Sequence, residues 1–349
     1  MNWPRVVVWG VVTFLLLFLI ANVVLIHPPH HQRKAIKVIV EIGQLQTAMQ
    51  SYEEKYEEFP PCLADANVSE RKVRLMRHLK KAYPNCSYGK TEEAFDRLNI
   101  DLQKGIGRSS QAYNFLDASG TIRPLDLNTL DAAESLVFWL GGFPTPYNNQ
   151  TKAVVANRRI FGFHRDTDNP MRRDAAGTEG LDPLRYRTEP FYQFDETRLS
   201  DIDDDGWFEY LPFPSAGSSI IAPFVYFDAK CYVDSGKKSY SLGTVRYPAD
   251  VRLAKDFGYA VPYAASFAPS TSAVTWYIPE SFQIVCGGLD DMYDTPAETG
   301  AEKRIVVMPI GKICRLPDEN FEALSVEEGD NLTSFSSNTL EGMRQESGR

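Results

Sequence analysis

Residues 35–61 read AIKVIVEIGQLQTAMQSYEEKYEEFPP, and the fold turns on how they are folded. Ile39, Ile42, Leu45, Met49, Tyr52 and Tyr56 recur every three or four positions, which is one face of an α-helix. Lys37, Glu41, Gln44, Gln46, Gln50, Glu53, Glu54 and Glu57 make the opposite, polar face. Pro60-Pro61 cannot continue the helix. The spacing therefore predicts an amphipathic helix over 35–60 with a single apolar stripe, and later sequence must cover that stripe.

Upstream, Val6 to Ile26 is a 21-residue run with no charge. At 1.5 Å per residue it spans about 30 Å, the thickness of a hydrocarbon core. The run is too long for a signal-peptide core and leaves through Ile26-His27-Pro28-Pro29, a poor cleavage site. It reads as an uncleaved single-pass anchor, with residues 1–5 on the cytoplasmic side. Arg33, Lys34 and Lys37 after the run outnumber Arg5 before it, which by the positive-inside rule puts the large domain in the cytoplasm. The cysteines point the other way. Cys62 and Cys86 flank one helical stretch, and a disulfide between them suits an exported domain. Free, partly buried thiols are the equal alternative.

Downstream, helices are expected over Ser69–Tyr83, Thr91–Lys104 and Leu130–Leu140, the last ended by Gly141-Gly142. Residues 143–198 show little periodicity and read as an irregular surface excursion. From about residue 216 to 315 the texture is β. IIAPFVYF (220–227), VTWYI (274–278), FQIVC (282–286) and RIVVMPI (304–310) are short, β-branched or aromatic runs separated by Pro and Gly. Residues 316–349 carry eight acids and two bases and read as a solvated tail. Helices first and strands later make an α+β chain, with the 35–60 helix covering one face of an antiparallel sheet.

Composition narrows the function. The 349 residues carry a net charge of −9, against a nucleic-acid partner. Five His and no C-x-x-C pair exclude His- or Cys-rich zinc chemistry. G-x-S-x-G, H-E-x-x-H, P-loop and G-x-G-x-x-G motifs are absent, so no enzyme is indicated. His164 lies in a polar loop, where a lone histidine reads as a surface residue. One motif carries chemistry. Asp201-Ile202-Asp203-Asp204-Asp205-Gly206-Trp207-Phe208-Glu209 has the D-x-D-x-D-G opening of a calcium loop, with Asp201, Asp203, Asp205 and Glu209 as ligands. Pro212 stands where an EF-hand needs its closing Glu, and an acidic solvated turn is the competing reading.

These pieces together resemble the type IV pilin superfamily, in particular the major-pseudopilin branch of type II secretion. The resemblance rests on the anchor leading into Glu41-Ile42 through Phe59-Pro60-Pro61, on Pro279-Glu280-Ser281-Phe282-Gln283-Ile284-Val285-Cys286-Gly287-Gly288-Leu289-Asp290-Asp291, and on Gly329-Asp330-Asn331-Leu332-Thr333-Ser334-Phe335. It covers about 100 residues and makes 61–215 a large helical and irregular insertion. It implies a structural subunit or accessory of a secretion or pilus-like assembly, anchored in the bacterial inner membrane with its large domain periplasmic and other such subunits as partners. The same resemblance implies prepilin processing at Gly10-Val11, although Leu15 stands where the family has Glu. It also implies a second calcium site built from the Leu289 carbonyl, Asp290, Asp330 and Asn331. The rival expectation is a membrane-tethered periplasmic binding module that never polymerises.

Overall fold

A computed structural model describes residues 30–63, 68–105, 112–144, 160–172, 186–214, 221–232, 258, 260–268, 273–293, 304–308, 311–315, 320–323, 329–337 and 339–346. The chain opens with helices α1 (His30–Tyr56), α2 (Val68–Ala82) and α3 (Glu92–Lys104), then the hairpin β1 (Asn114–Leu116) and β2 (Ile122–Pro124). Helix α4 (Ala132–Gly141) and the pairs β3 (Phe143–Pro144) with β4 (Ile160–Phe161) and β5 (Leu199–Ser200) with β6 (Glu209–Tyr210) follow. The remaining strands are β7 (Val225–Asp228), β8 (Tyr263–Ala268), β9 (Ala273–Trp276), β10 (Phe282–Cys286), β11 (Arg304–Val307), β12 (Lys312–Arg315), β13 (Asn320–Ala323) and β14 (Leu332–Thr333).

Helix α1 forms as its periodicity requires. Val38, Ile42, Leu45, Met49 and Tyr52 are fully buried, each worth about 1.5–3 kcal/mol relative to exposure. Helices α3 and α4 begin where side chains satisfy their first N–H groups. Thr91 caps α3 by accepting from the Ala94 N–H. Asp131 caps α4, and Glu134 answers it in a capping box.

The expected architecture needs correction. Among the described residues no transmembrane helix leads into α1, and separate small sheets stand in place of a single antiparallel sheet beneath it. No helix among the described residues is long and apolar enough to cross a membrane. The Val6–Ile26 run and the Gly10-Val11 position lie outside the described residues.

The four β runs read from the sequence coincide with or overlap β7, β9, β10 and β11, while β13 and β14 fall in the expected tail; besides the three two-stranded pairs the strands form two sheets. One is three-stranded and antiparallel in the order β14-β10-β7, and the other is five-stranded in the order β13-β12-β11-β8-β9, with β8 and β11 parallel. Strands β9 and β10 are consecutive yet do not pair. Both edges of β10 are taken, by β14 and β7, and Ile278 at φ +48° turns the chain between them. A buried side chain then joins the sheets. Gln283 accepts from the Tyr263 N–H at 2.8 Å and donates to the carbonyls of Tyr263 and Tyr277. Helix α1 itself packs on β14 and α4.

Two segments read as surface contribute to the core. Phe143, Phe163 and Met171 are buried, so the described parts of 143–198 send side chains into the packed interior while most of their polar residues stay at the surface. His164 is buried too, its Nδ1 accepting from the Asp166 N–H. The acidic tail supplies β14, with Asn331 and Leu332 fully buried.

Candidate metal centre

The acidic loop 201–208 connects β5 to β6, with Leu199 opposite Tyr210 and Ser200 opposite Glu209. A hairpin flanks it where an EF-hand has helices. The loop's shape comes from its own carboxylates. Asp201 accepts from the Asp205 and Gly206 N–H groups at 3.0 and 3.1 Å, and Asp205 accepts from the Trp207 N–H at 2.9 Å. Gly206 sits at φ +95° with the rings of Phe115 and the side chain of Leu125 against its Cα, so a Cβ there would collide.

The hairpin is pinned from both sides. Arg198 ion-pairs with Glu41 of α1, and the Tyr210 hydroxyl donates to Glu41 Oε1 at 2.8 Å. Glu41 was expected on the solvated face of α1. It is buried, and burial raises its pKa while Arg198 pulls it back. On the other side lies α4, whose Glu134 enters the loop's acid cluster.

Two overlapping groups result. Glu134, Asp203 and Glu209 each place a carboxylate oxygen within 4.8 Å of the others, all three buried, and Asp201, Asp203 and Asp205 do the same nearer the surface. Glu134 uses Oε2 to accept from the Asp131 N–H at 2.8 Å, and Glu209 uses Oε2 to accept from the Ile202 N–H at 3.0 Å. Their Oε1 atoms are buried without a hydrogen-bond partner.

The electrostatics are one-sided. Burial raises both pKa values well above 4.5, and the charged side chains that shift them most among the described residues are acids: Asp131 and Asp203 on both, with Asp205 and Glu209 on Glu134. Asp201 is pushed up to about 6, first by burial and then by Asp205. Such a cluster can hold a hard cation or retain protons.

Sequence reading found four of these carboxylates and missed Glu134. Its signal was an acid inside the otherwise apolar helix of LDAAESLVFWL, three residues after the capping Asp131. The structure brings this carboxylate from another element to within 4.8 Å of carboxylate oxygens of Asp203 and Glu209.

The residues of the second expected site also converge, across 40 positions of sequence. The Asp290 N–H donates to Asp330 Oδ2 at 3.1 Å, and Gly288 at φ +66° lets Asp330 approach the backbone where a Cβ would clash. Asp330 rises to about 7, by burial first and Asp290 second. The buried Lys34 ammonium occupies this region, donating to the Leu289 carbonyl at 3.2 Å and pairing with buried Asp291 at 2.5 Å. Asn331 donates to the Tyr263 hydroxyl at 3.1 Å.

The expected Cys62–Cys86 disulfide is not formed. Cys86 is a free, buried thiol, while Cys62 is disulfide-bonded elsewhere. The Cys62 N–H donates to Asp228 Oδ2, which holds this stretch beside the end of β7.

No family model, curated protein or solved structure matches this chain.

Proposed function

We propose that this chain is a structural, non-catalytic subunit or accessory of a type II secretion or type IV pilus-like assembly, at the bacterial inner membrane with its folded region periplasmic. The observation that supports this most is the outer face of α1. Ile36 and Val40 are each 56% exposed on a helix whose opposite face is fully buried. Gly43 follows, with open space beyond its Cα, and the Thr47 hydroxyl is satisfied by the Gly43 carbonyl. Positions 36, 40, 43 and 47 fall on one stripe, the spacing by which one helix seats against another. A long helix with one stripe buried at home and a second left outside suits a subunit that packs on neighbours.

The test is oxidative crosslinking of single-cysteine variants at Ile36 and Val40 in native membranes. Covalent multimers at these positions, and none at Ile122 on β2, which is 44% exposed but off this helix, are expected. Monomer alone at all three positions sinks the reading.

A cleft of about 310 Å³ between the end of α4 and residues 190–199 favours the second reading, a tethered binding module. Tyr192, Phe194 and Glu196 line it, an aromatic wall with one acid. Monomer in the crosslinking test, together with saturable binding of a sugar or peptide lost in Tyr192→Ala, selects this reading.

A further inference from the structure

We propose that Glu134, Asp203 and Glu209, with Asp201 and Asp205 beside them, bind one calcium ion that clasps α4 to the β5–β6 hairpin. The proposal does not depend on the assembly role. Two independent observations carry it beyond an acidic loop. The first is Glu134, which arrives from another element and buries Oε1 without a hydrogen-bond partner, within 4.8 Å of ligand oxygens from the loop. The second is Glu209, fully buried, with Oε1 likewise unpartnered. Burying such carboxylate oxygens costs several kcal/mol unless a cation or proton meets them.

The chemistry of the donors selects the ion. All are hard oxygens, which suit Ca²⁺ or Mg²⁺ and not a thiolate- or imidazole-seeking metal. Magnesium keeps a rigid octahedron and most of its waters, whereas calcium accepts six to eight oxygens in irregular geometry. A site assembled from a hairpin loop and a helix start, with loop positions one, three, five and nine acidic and Gly206 at six, follows the calcium pattern. Glu134 takes the place of the ligand an EF-hand would have at Pro212.

Each glutamate is also aimed before any ion arrives. The Asp131 and Ile202 N–H groups hold the Oε2 atoms, which leaves the buried Oε1 atoms without a hydrogen bond. This is the outer-shell support that orients metal ligands.

The test uses the full chain purified in detergent, stripped with EDTA and followed by ⁴⁵Ca equilibrium dialysis and thermal unfolding at pH 7. Expected are one calcium per chain and a Tm rise of at least about 5 °C. Glu134→Gln keeps the capping box, and Glu209→Gln keeps the backbone contact. Each should weaken calcium binding at least about tenfold and melt above the wild type in EDTA, because a neutral amide relieves the crowded acids. Asp330→Asn should retain the calcium response, separating this site from the C-terminal loops. The proposal is overturned if the wild type binds no calcium, if the response survives both glutamine variants, or if magnesium gives it and calcium does not.

Discussion

The molecule solves one electrostatic problem twice, in different ways. At residues 289–291 and 330, acids gather around a buried loop and Lys34 brings the compensating charge from α1. At residues 201–209, more acids gather, deeper, and the charged neighbours of Glu134 and Glu209 are acids as well. The first cluster is a finished salt bridge. The second is built like a socket. Both stretches are acidic, so acid content alone does not mark a metal site; whether a base is folded against the acids decides.

Removing the internal cation should have the largest effect. Lys34→Ala leaves Asp291, fully buried, without its ammonium, and should destabilise the chain by about 3–5 kcal/mol in chemical denaturation. A loss below about 1 kcal/mol would mean that Asp291 is protonated or hydrated, and the contrast between the clusters would collapse.

The next effect is the pH response of the socket. Glu134 and Glu209 hold their protons more tightly folded than unfolded. Between their ordinary value of 4.5 and their raised folded values the native state binds more protons, so stability in EDTA should fall as pH rises above 4.5. Calcium should flatten this slope, because it replaces those protons. An EDTA-treated protein equally stable at pH 5 and pH 8 would contradict the arrangement.

A smaller effect belongs to Asp330, raised to about 7 from 3.8. It too loses stability as pH climbs through that window. Asp330→Asn should melt above the wild type at pH 8 and level with it at pH 3.5.

The smallest is a control. Lys72 and Asp96 form a 2.7 Å ion pair with the Asp side chain 52% exposed. Asp96→Ala should change stability by no more than about 0.5 kcal/mol, which would tie the Lys34 effect to burial.

Local features were legible in the sequence where local physics sets them. The stripe of α1, the span of α3, the four β runs between 220 and 310 and the Asp201 loop all follow from spacing and residue type. Long-range cover was not legible. Periodicity assigned Glu41 to solvent because it sees one helix face, while Arg198 and Tyr210 come from 157 and 169 residues away to bury it. Lys34 was counted among membrane-flanking charges, and its partner lies 257 residues on. Strand texture located β9 and β10 but could not tell that β14, hidden in an acidic tail, would claim an edge of β10. Cys62 and Cys86 are near in sequence, yet the Asp228 contact draws Cys62 elsewhere. Glu134 was missed for the same reason, since its partners are supplied by the fold.

Lys34 lies in the first turns of α1 and Gln46 in its middle, and each is tied to the C-terminal region, to Asp291 and to the Ser334 carbonyl. Tension applied at the His30 end of this helix therefore loads those two ties in shear before the helix can peel from its bed. The load passes into the last third of the chain through these two ties and into the β5–β6 hairpin through Glu41 between them. Resistance to pulling would then follow how fast the Lys34–Asp291 tie ruptures, a rate that the overall folding free energy does not set.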